Sequence, residues 1–319
     1  MKILAGDIGG THTRLALASA EGSRVGIDKS ERVLNAGRDG IEQVLADFLA
    51  GAGRVDAACL AVAGPTDGLS ARFTNLPWQV ESAALSARFG LPFHLVNDFA
   101  AVGWGLNTLT DADIAVLQTG QEQANASRVA LGAGTGLGVS LCVAQADGPH
   151  RPLDSEGGHI GFAPTDAEQD RLLVWLRAAY GRVSVERLLS GPGLIGLYRF
   201  CLAEAGRSAT MDLASPAAAR AISEAGKAAI DAEAARTLRL FTRIYGQVAG
   251  DLALLARAQG GVFLAGGIAP QWLDVLREGD FLAAFRAKGR FAAWMESVPV
   301  KVILDPDVGL KGAALAATA

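Results

Sequence analysis

Several features that mark particular classes of protein are scarce or missing in this sequence. Aromatic residues make up 6% of the 319 residues, and charged residues make up 19%. No stretch approaches the roughly 18 uncharged apolar residues that a transmembrane helix requires. The opening apolar segment, residues 3–5, is also shorter than the apolar region of a signal peptide. These absences predict a soluble protein with no membrane partner.

Cysteine is rare as well, and its placement excludes two kinds of site. Cys59, Cys142 and Cys201 lie far apart in apolar segments. Zinc sites and redox motifs need closely spaced cysteines or Cys/His clusters. The pattern therefore predicts buried free thiols in a reducing compartment, the cytoplasm.

Neither sign of charge dominates the sequence. The 29 basic and 33 acidic residues give a formal net charge of −4, and no block of like charges stands out. A basic patch is the usual mark of a chain that binds nucleic acid or an anionic membrane. The sequence therefore predicts neither partner.

What the sequence does have is apolar side chain and glycine. Half of the residues are hydrophobic, which is enough for a sizeable core, and 39 are glycine. Strand-like segments alternate with segments of helical spacing, which predicts an α/β fold. Strands are expected over residues 2–6, 14–18, 57–63, 93–96, 129–131, 137–144, 262–265 and 300–304. Helices are expected over residues 41–49, from 99 onward, and over 172–180, 185–189, 193–205, 228–259 and the closing segment.

A glycine-rich turn occurs twice, each time between two strand-like segments. The copies are residues 7–11 (DIGGT) and residues 132–138 (GAGTGLG). Neither matches the dinucleotide-binding or P-loop pattern. Glycine nevertheless lets backbone N–H groups approach an anion, and threonine adds a hydroxyl donor. The turns are either plain hairpin connections or phosphate-binding loops, and their repetition indicates a duplicated fold.

Polar residues at three other places are candidates for ligand contact. Asn97 and Asp98 follow an apolar strand, where either a ligand site or a helix cap is expected. Glu156 and His159 flank two glycines in SEGGH, a turn that can direct both side chains at one ligand. Glu186 is either a ligand or a solvated acid on a helix face.

Seven motifs, in order along the chain, resemble those of the bacterial glucokinase family. They are DIGGTHTR (7–14), VNDF (96–99), GAGTGLG (132–138), EGGH (156–159), ERLLSGPGL (186–194), GGVFLAGGI (260–268) and GLKGAAL (309–315). The resemblance covers essentially the whole chain. The cysteine cluster of the other large glucokinase group, the ROK family, is missing from the sequence.

The resemblance implies the actin-like sugar kinase ATPase fold, in which two RNase H-like α/β lobes flank a nucleotide cleft. Residues 1–107 with 300–319 are expected to form the small lobe, and residues 108–299 the large lobe.

The resemblance also implies a role for each candidate residue. Asp98 corresponds to the catalytic base, and Asp7 is expected to hold magnesium through a water molecule. The expected sugar ligands are Asn97, Asp98, Glu156, His159 and Glu186. The expected nucleotide contacts are Asp7, Gly9, Gly10, Thr11, Gly134, Thr135, Gly136, Gly266 and Gly267.

The implied activity is transfer of the γ-phosphoryl group of ATP to the primary hydroxyl of glucose, with Mg²⁺ as cofactor. The product is glucose 6-phosphate, a glycolytic intermediate, and the resemblance implies a homodimer. The alternatives are a hexose kinase of other sugar or donor preference, including ADP or polyphosphate, and a non-catalytic sugar-sensing regulator. His12, where the family commonly has Asn, and the pair Asp154-Ser155, in place of Pro-Gly, depart from the family pattern.

Overall fold

The computed structural model describes residues 1–73, 76 and 78–319, and within them the fold is mixed α/β. The strands are β1 (Lys2–Ile8), β2 (His12–Glu21), β3 (Arg24–Leu34), β4 (Ala57–Val62), β5 (Ser70–Arg72), β6 (Gln79–Glu81), β7 (Phe93–Asn97), β8 (Ile114–Gln118), β9 (Arg128–Ala133), β10 (Leu137–Val143), β11 (Arg151–Leu153), β12 (Val262–Ala265) and β13 (Val300–Ile303). The helices are α1 (Ile41–Leu49), α2 (Ser82–Phe89), α3 (Asp98–Gly105), α4 (Ala167–Tyr180), α5 (Gly191–Glu204), α6 (Ala218–Lys227), α7 (Ala232–Ala256), α8 (Ile268–Gln271), α9 (Leu273–Arg277), α10 (Asp280–Arg286), α11 (Ala292–Ser297) and α12 (Val308–Ala316).

The first sheet has the strand order β3-β2-β1-β4-β7. β1 pairs antiparallel with β2 and parallel with β4, and β4 pairs parallel with β7. Successive side chains of a strand point to opposite faces, and here the two faces differ in size. Large residues such as Leu4 and Leu60 pack in the cluster that includes residues of α1 and α2. Small residues such as Ala5 and Ala61 pack with α3 and α12, so these two helices lie close against the sheet.

The close packing of α12 fixes the position of α3. A Cβ built on Gly312 of α12 would lie 1.8 Å from the carbonyl oxygen of Ala101. The two helices therefore touch backbone to backbone, which only glycine permits at this position. Asp98, a candidate site residue, is the first residue of α3 and is held in place by this contact.

The second sheet repeats the order of the first and adds one edge strand, giving β11-β10-β9-β12-β13-β8. β12 lies parallel to both β9 and β13. In each sheet a glycine turn joins the two neighbouring strands that open the unit, β1 to β2 and β9 to β10. The duplicated α/β fold predicted from the two glycine motifs is therefore confirmed.

Contacts divide the chain into two compact units. Unit 1 comprises Met1–Ile114, Ser140–Ser155 and Leu304–Ala319, and unit 2 comprises Ala115–Val139 and Glu156–Ile303. The predicted lobes place residues 108–114 and 140–155 in the large lobe and residues 300–303 in the small one. Residues 140–155 join unit 1 because Ser140 and Pro152 pack against Gly103 of α3. The lobe boundaries themselves stay predictions.

Most predicted elements are present, but strands β3, β5, β6, β8 and β11 were not expected, and the helical part differs as well. The helix expected over residues 185–189 is a short 3-10 turn, Val185–Arg187. The expected run 228–259 begins later, because the Asp231 side chain accepts hydrogen bonds from Glu233 N and Ala234 N and caps α7. Helix α6, which precedes it, was not expected.

All three cysteines are free and buried, as predicted. No helix in the described part of the chain is long and apolar enough to span a membrane.

Candidate active site

The first glycine loop, residues 9–11, is held by one buried side chain from another segment. Gly9 N donates to His12 O at 3.0 Å, which closes the turn. Asn35 Nδ2 donates to Gly9 O at 2.8 Å, and Asn35 Oδ1 accepts from Thr13 Oγ1 at 2.8 Å. Asn35 N also donates to Thr11 O at 2.9 Å. The loop therefore has a fixed backbone, while Gly10 and Thr11 remain exposed.

His12, which departs from the family pattern, lies at the end of this loop. Its Nδ1 is 3.3 Å from Arg32 Nη2 on the neighbouring strand β3. The imidazole of His12 is thus directed along the sheet, where it contacts the guanidinium of Arg32.

The second glycine loop, residues 134–136, is held by the backbone around it. Gly134 N donates to Gly136 O, and Gly191 N at the start of α5 donates to Gly134 O, both at 2.8 Å. Thr135 at the tip is exposed. As in the first loop, the backbone is fixed and the threonine at the tip is accessible.

A cavity of about 460 Å³ lies beside the second loop. It is lined by both Gly134 and Gly267, which lie far apart in the chain and which the family resemblance assigns to one nucleotide site. The other lining residues are Gly191, Leu194, Ala219, Arg220, Ser223, Glu224, Lys227, Ile268, Gln271 and Trp272. The volume falls within the range of small-molecule sites in proteins.

Gly266 is required by the backbone at the end of β12. Its φ is +76°, in the left-handed region, and a Cβ there would lie 2.6 Å from Ala133 O. A residue with a side chain would push β12 away from β9, so the absence of a side chain at Gly266 keeps these two strands paired.

Asn97 caps helix α3. Its Oδ1 accepts from Phe99 N at 2.8 Å and from Ala100 N at 3.2 Å, and its Nδ2 donates to Gly64 O at 3.2 Å. The capping alternative raised by the sequence is thus confirmed for Asn97, whose side chain is buried.

Asp98 follows as the first residue of α3 and is half-buried, and its Oδ1 accepts from Phe99 N at 2.8 Å. The positive end of the helix dipole stabilises a carboxylate at this position.

Glu156 and His159 are brought together by a 3-10 turn, Gly157–His159. His159 Nε2 lies 3.9 Å from Glu156 Oε2, and both side chains are more than half exposed. His159 N donates to Glu156 O at 2.9 Å, which closes the turn. The glycines thus direct the two side chains to one place, as the sequence predicts.

Glu186 lies in the 3-10 turn Val185–Arg187, so its predicted helix-face alternative is wrong. Glu186 Oε2 accepts a hydrogen bond of 2.9 Å from Leu137 N, the residue that follows the second glycine loop. The turn is joined to the preceding candidate segment by a 3.0 Å bond from Val185 N to Ile160 O.

The candidate residues therefore fall into groups. Asp7, the first loop, Asn97 and Asp98 belong to unit 1, whereas the second loop, Glu156, His159, Glu186, Gly266 and Gly267 belong to unit 2. Within unit 2, the structure brings the second loop next to Glu186 on one side and to Gly267 on the other.

Burial raises the pKa of the Asp7 carboxyl above its usual value, and the nearby guanidinium of Arg14 offsets this only in part. Arg14 is shared with another acid, since it pairs with Asp307 and donates to Pro306 O at 2.9 Å. A cation bound at Asp7 would supply the missing countercharge.

Among the described residues, no group of three or more His, Cys, Asp or Glu side chains could hold a metal ion by itself. Mg²⁺ commonly binds through one or two carboxylates, phosphate oxygens and waters, so the single half-buried carboxylate of Asp7 fits it.

Two sets of residues in the site were not expected from the sequence. Asn35 lies 24 positions beyond Thr11 on no recognisable motif, although it fixes the first loop. The cavity wall formed by α6 was missed because that helix was missed, although Ile222 and Gly226 at helical spacing were an available signal.

Comparison with known proteins identifies the family. The glucokinase family model matches residues 4–319. The glucokinase of Trichormus variabilis is 37% identical over 99% of this chain and 98% of its own length. That of Marinobacter nauticus is 39% identical over 98% of this chain and 95% of its own.

Solved structures agree. A glucokinase from an Antarctic psychrotroph superposes with a TM-score of 0.88 and 32% identity, covering 99% of this chain and 98% of the other. A ROK family glucokinase from Streptomyces griseus, in complex with glucose and AMPPNP, has a TM-score of 0.68 at 22% identity over 100% and 99% of the two chains. This second likeness shows the shared actin-like sugar kinase fold. With a family match that spans nearly its whole length, the chain belongs to the glucokinase family.

Proposed function

We propose that this chain transfers the γ-phosphoryl group of ATP to the primary hydroxyl of glucose and releases glucose 6-phosphate and ADP. The observation that carries the proposal is the family match over residues 4–319. The geometry of unit 2 supports it, because one glycine loop borders a cavity of nucleoside size and also contacts Glu186.

The proposed base is Asp98. As the hydroxyl oxygen of glucose forms its bond to the γ-phosphorus, the hydroxyl proton passes to the Asp98 carboxylate and the bond to the bridging oxygen of ADP breaks. The position of Asp98 at the N-terminus of α3 stabilises the carboxylate before the transfer.

Recognition of the sugar is assigned to side chains with hydrogen-bonding capacity. Glu156, His159 and Glu186 are assigned to ring hydroxyls. Asn97 contributes the second N–H of its side-chain amide, because the first donates to Gly64 O and the amide oxygen caps α3. A pocket that pairs its polar groups with specific hydroxyls rejects a sugar that leaves them unpaired. We therefore assign glucose as the substrate in preference to epimers such as galactose.

The phosphates of ATP are assigned to the two glycine loops. The backbone N–H groups of Gly10 and Gly136 and the hydroxyls of Thr11 and Thr135 are assigned as donors to them. Gly9 and Gly134, whose own N–H groups close the turns, are assigned as close backbone contacts. The adenosine part occupies the cavity beside Gly266 and Gly267. Asp7 would hold Mg²⁺ or its water, and the ion would neutralise charge on the transferred group.

A coupled assay of the purified chain tests the proposal directly. Glucose and galactose are each offered with ATP, ADP and polyphosphate, and formation of sugar phosphate is measured. We expect phosphorylation of glucose by ATP in the presence of Mg²⁺. Another preferred pair would indicate a different hexose kinase, and glucose binding without turnover by any donor would indicate a sugar sensor.

Three further properties are proposed on the family resemblance alone. They are a homodimer, a cytoplasmic location and a place at the entry to glycolysis. Light scattering is expected to give twice the chain mass of 32.9 kDa, and a monomer mass at all concentrations would contradict the dimer.

A further inference from the structure

The second glycine loop has a contact that phosphate binding does not require. Glu186 Oε2 accepts a hydrogen bond from Leu137 N at 2.9 Å and lies directly over Gly136. A Cβ built on Gly136 would come within 2.6 Å of the same oxygen. The absence of a side chain at residue 136 is therefore what admits the Glu186 carboxylate.

Leu137 joins the loop to both sugar-recognition segments. Its N–H holds Glu186, and its carbonyl oxygen packs against Gly158, where a Cβ would lie only 2.0 Å away. Gly158 belongs to the turn that presents Glu156 and His159. Leu137 itself is buried, so its peptide groups offer a rigid surface for both turns.

The bond to Leu137 leaves the carboxylate able to act on a ligand. An ionised carboxylate has about four acceptor sites, and one N–H occupies one of them. The remaining capacity is available to sugar hydroxyls in a fixed orientation. Fixing the carboxylate before the sugar arrives reduces the entropy that binding must pay.

We propose that Gly136 and Leu137 position Glu186 for the sugar, so that glucose affinity depends on a loop that also binds phosphate. This inference rests on the proposed function, in which Glu186 is a sugar ligand. Gly136 and Leu137 are positioning residues here, because they act through Glu186.

Gly136→Ala tests the proposal in the absence of nucleotide. The φ of Gly136 is not in the left-handed region, and the clashing atom is the end of a flexible side chain. The loop backbone therefore accepts alanine, while the carboxylate is displaced from Leu137 N. We expect the Kd for glucose, measured by calorimetry without ATP, to rise about tenfold.

Two comparisons show whether the effect passes through Glu186. Gly196→Ala is the control, because Gly196 lies in α5 away from the cavity lining and nothing stands within 4 Å of a Cβ built there. It should leave the Kd for glucose without nucleotide unchanged within about twofold. In a Glu186→Ala background, Gly136→Ala should cause no further loss, because coupled sites are not additive.

A measurement on the unaltered chain covers the case in which Gly136→Ala does not fold. Saturating glucose should slow hydrogen exchange of the peptide that contains Leu137. The Leu137 N–H is bonded to Glu186, and a bound sugar would hold Glu186 in that position. Absence of that protection would overturn the proposal, as would equal losses from Gly136→Ala with and without Glu186. If the unaltered chain does not bind glucose at all, the proposed function fails instead.

Discussion

The two glycine loops occupy equivalent places in sheets of the same strand order, but different chemistry holds them. The first is held by the neutral amide of Asn35, which is 3% exposed and bonds Thr13 and the carbonyl of Gly9. The second loop is held by Gly191 N, which donates to Gly134 O. Leu137, the residue that follows this loop, donates its N–H to the carboxylate of Glu186.

The difference has a functional consequence. Asn35 is buried and directs its side chain at the loop, so it has a supporting role there. Glu186 is half-buried, and its carboxyl group has acceptor sites beyond the one that Leu137 N occupies, so it can also bind a ligand. The two loops thus have similar backbones but different neighbours: within unit 2, the second loop adjoins Glu186, which the residue after the loop, Leu137, bonds.

The largest expected effect lies outside both loops. The loops are proposed to bind and orient phosphate, so the hydroxyl proton of glucose must be accepted by a different group, Asp98. Asp98→Asn should therefore lower kcat by about 10²–10⁴-fold. The change preserves the shape of the side chain at the start of α3, so glucose affinity should stay near its original value. Steady-state kinetics and calorimetry measure the two quantities. A variant with nearly full kcat would remove Asp98 from the mechanism.

Part of the fold and of the candidate site was predicted from the sequence. Buried strands such as β4 (AACLAV) and β12 (VFLA) were predicted nearly to the residue, because an uninterrupted apolar run has few alternatives. The pairing of Glu156 with His159 was predicted as well, since four residues with two glycines form a local turn.

Long-range support was not predictable from pattern. Nothing in the local sequence distinguishes Asn35 from a surface turn residue, and its role depends on the register that places β3 beside β2. Leu137 N reaches Glu186 across 49 positions of the chain. Helix α6 was missed because its alanine-rich sequence contains one large apolar residue, Ile222, although its buried positions share one face of the helix.

A smaller effect is expected from filling the nucleotide side of the second loop. Gly134 lines the cavity, and a side chain built there meets only Gly267 N at 4.0 Å. Gly134→Val should therefore fold, yet it should occupy space that the nucleotide needs and weaken ATP binding at least tenfold, about 1.4 kcal/mol. Calorimetry with ATP measures the change.

Gly196→Val is the control for that experiment. Gly196 lies in α5, nothing stands within 4 Å of a Cβ there, and it does not line the cavity. It should bind ATP with unchanged affinity. If Gly134→Val also binds ATP normally while folded, the second loop is only a hairpin turn and the comparison between the loops loses its basis.

The smallest expected effect concerns the support of the first loop. Asn35→Ala leaves Gly9 O and the Thr13 hydroxyl without their partner, which should lower the free energy of unfolding by about 1–3 kcal/mol. A looser first loop should raise the KM for ATP several-fold, while the Kd for glucose without nucleotide stays constant, because Glu186 is bonded beside the second loop. Asn107→Ala is a matched control in the same unit, since Asn107 also bridges backbone groups, those of Trp104 and His150. It should cost similar stability in chemical denaturation but leave the KM for ATP unchanged. Equal rises in that KM for both variants would show that general destabilisation, rather than the support of the first loop, controls nucleotide binding.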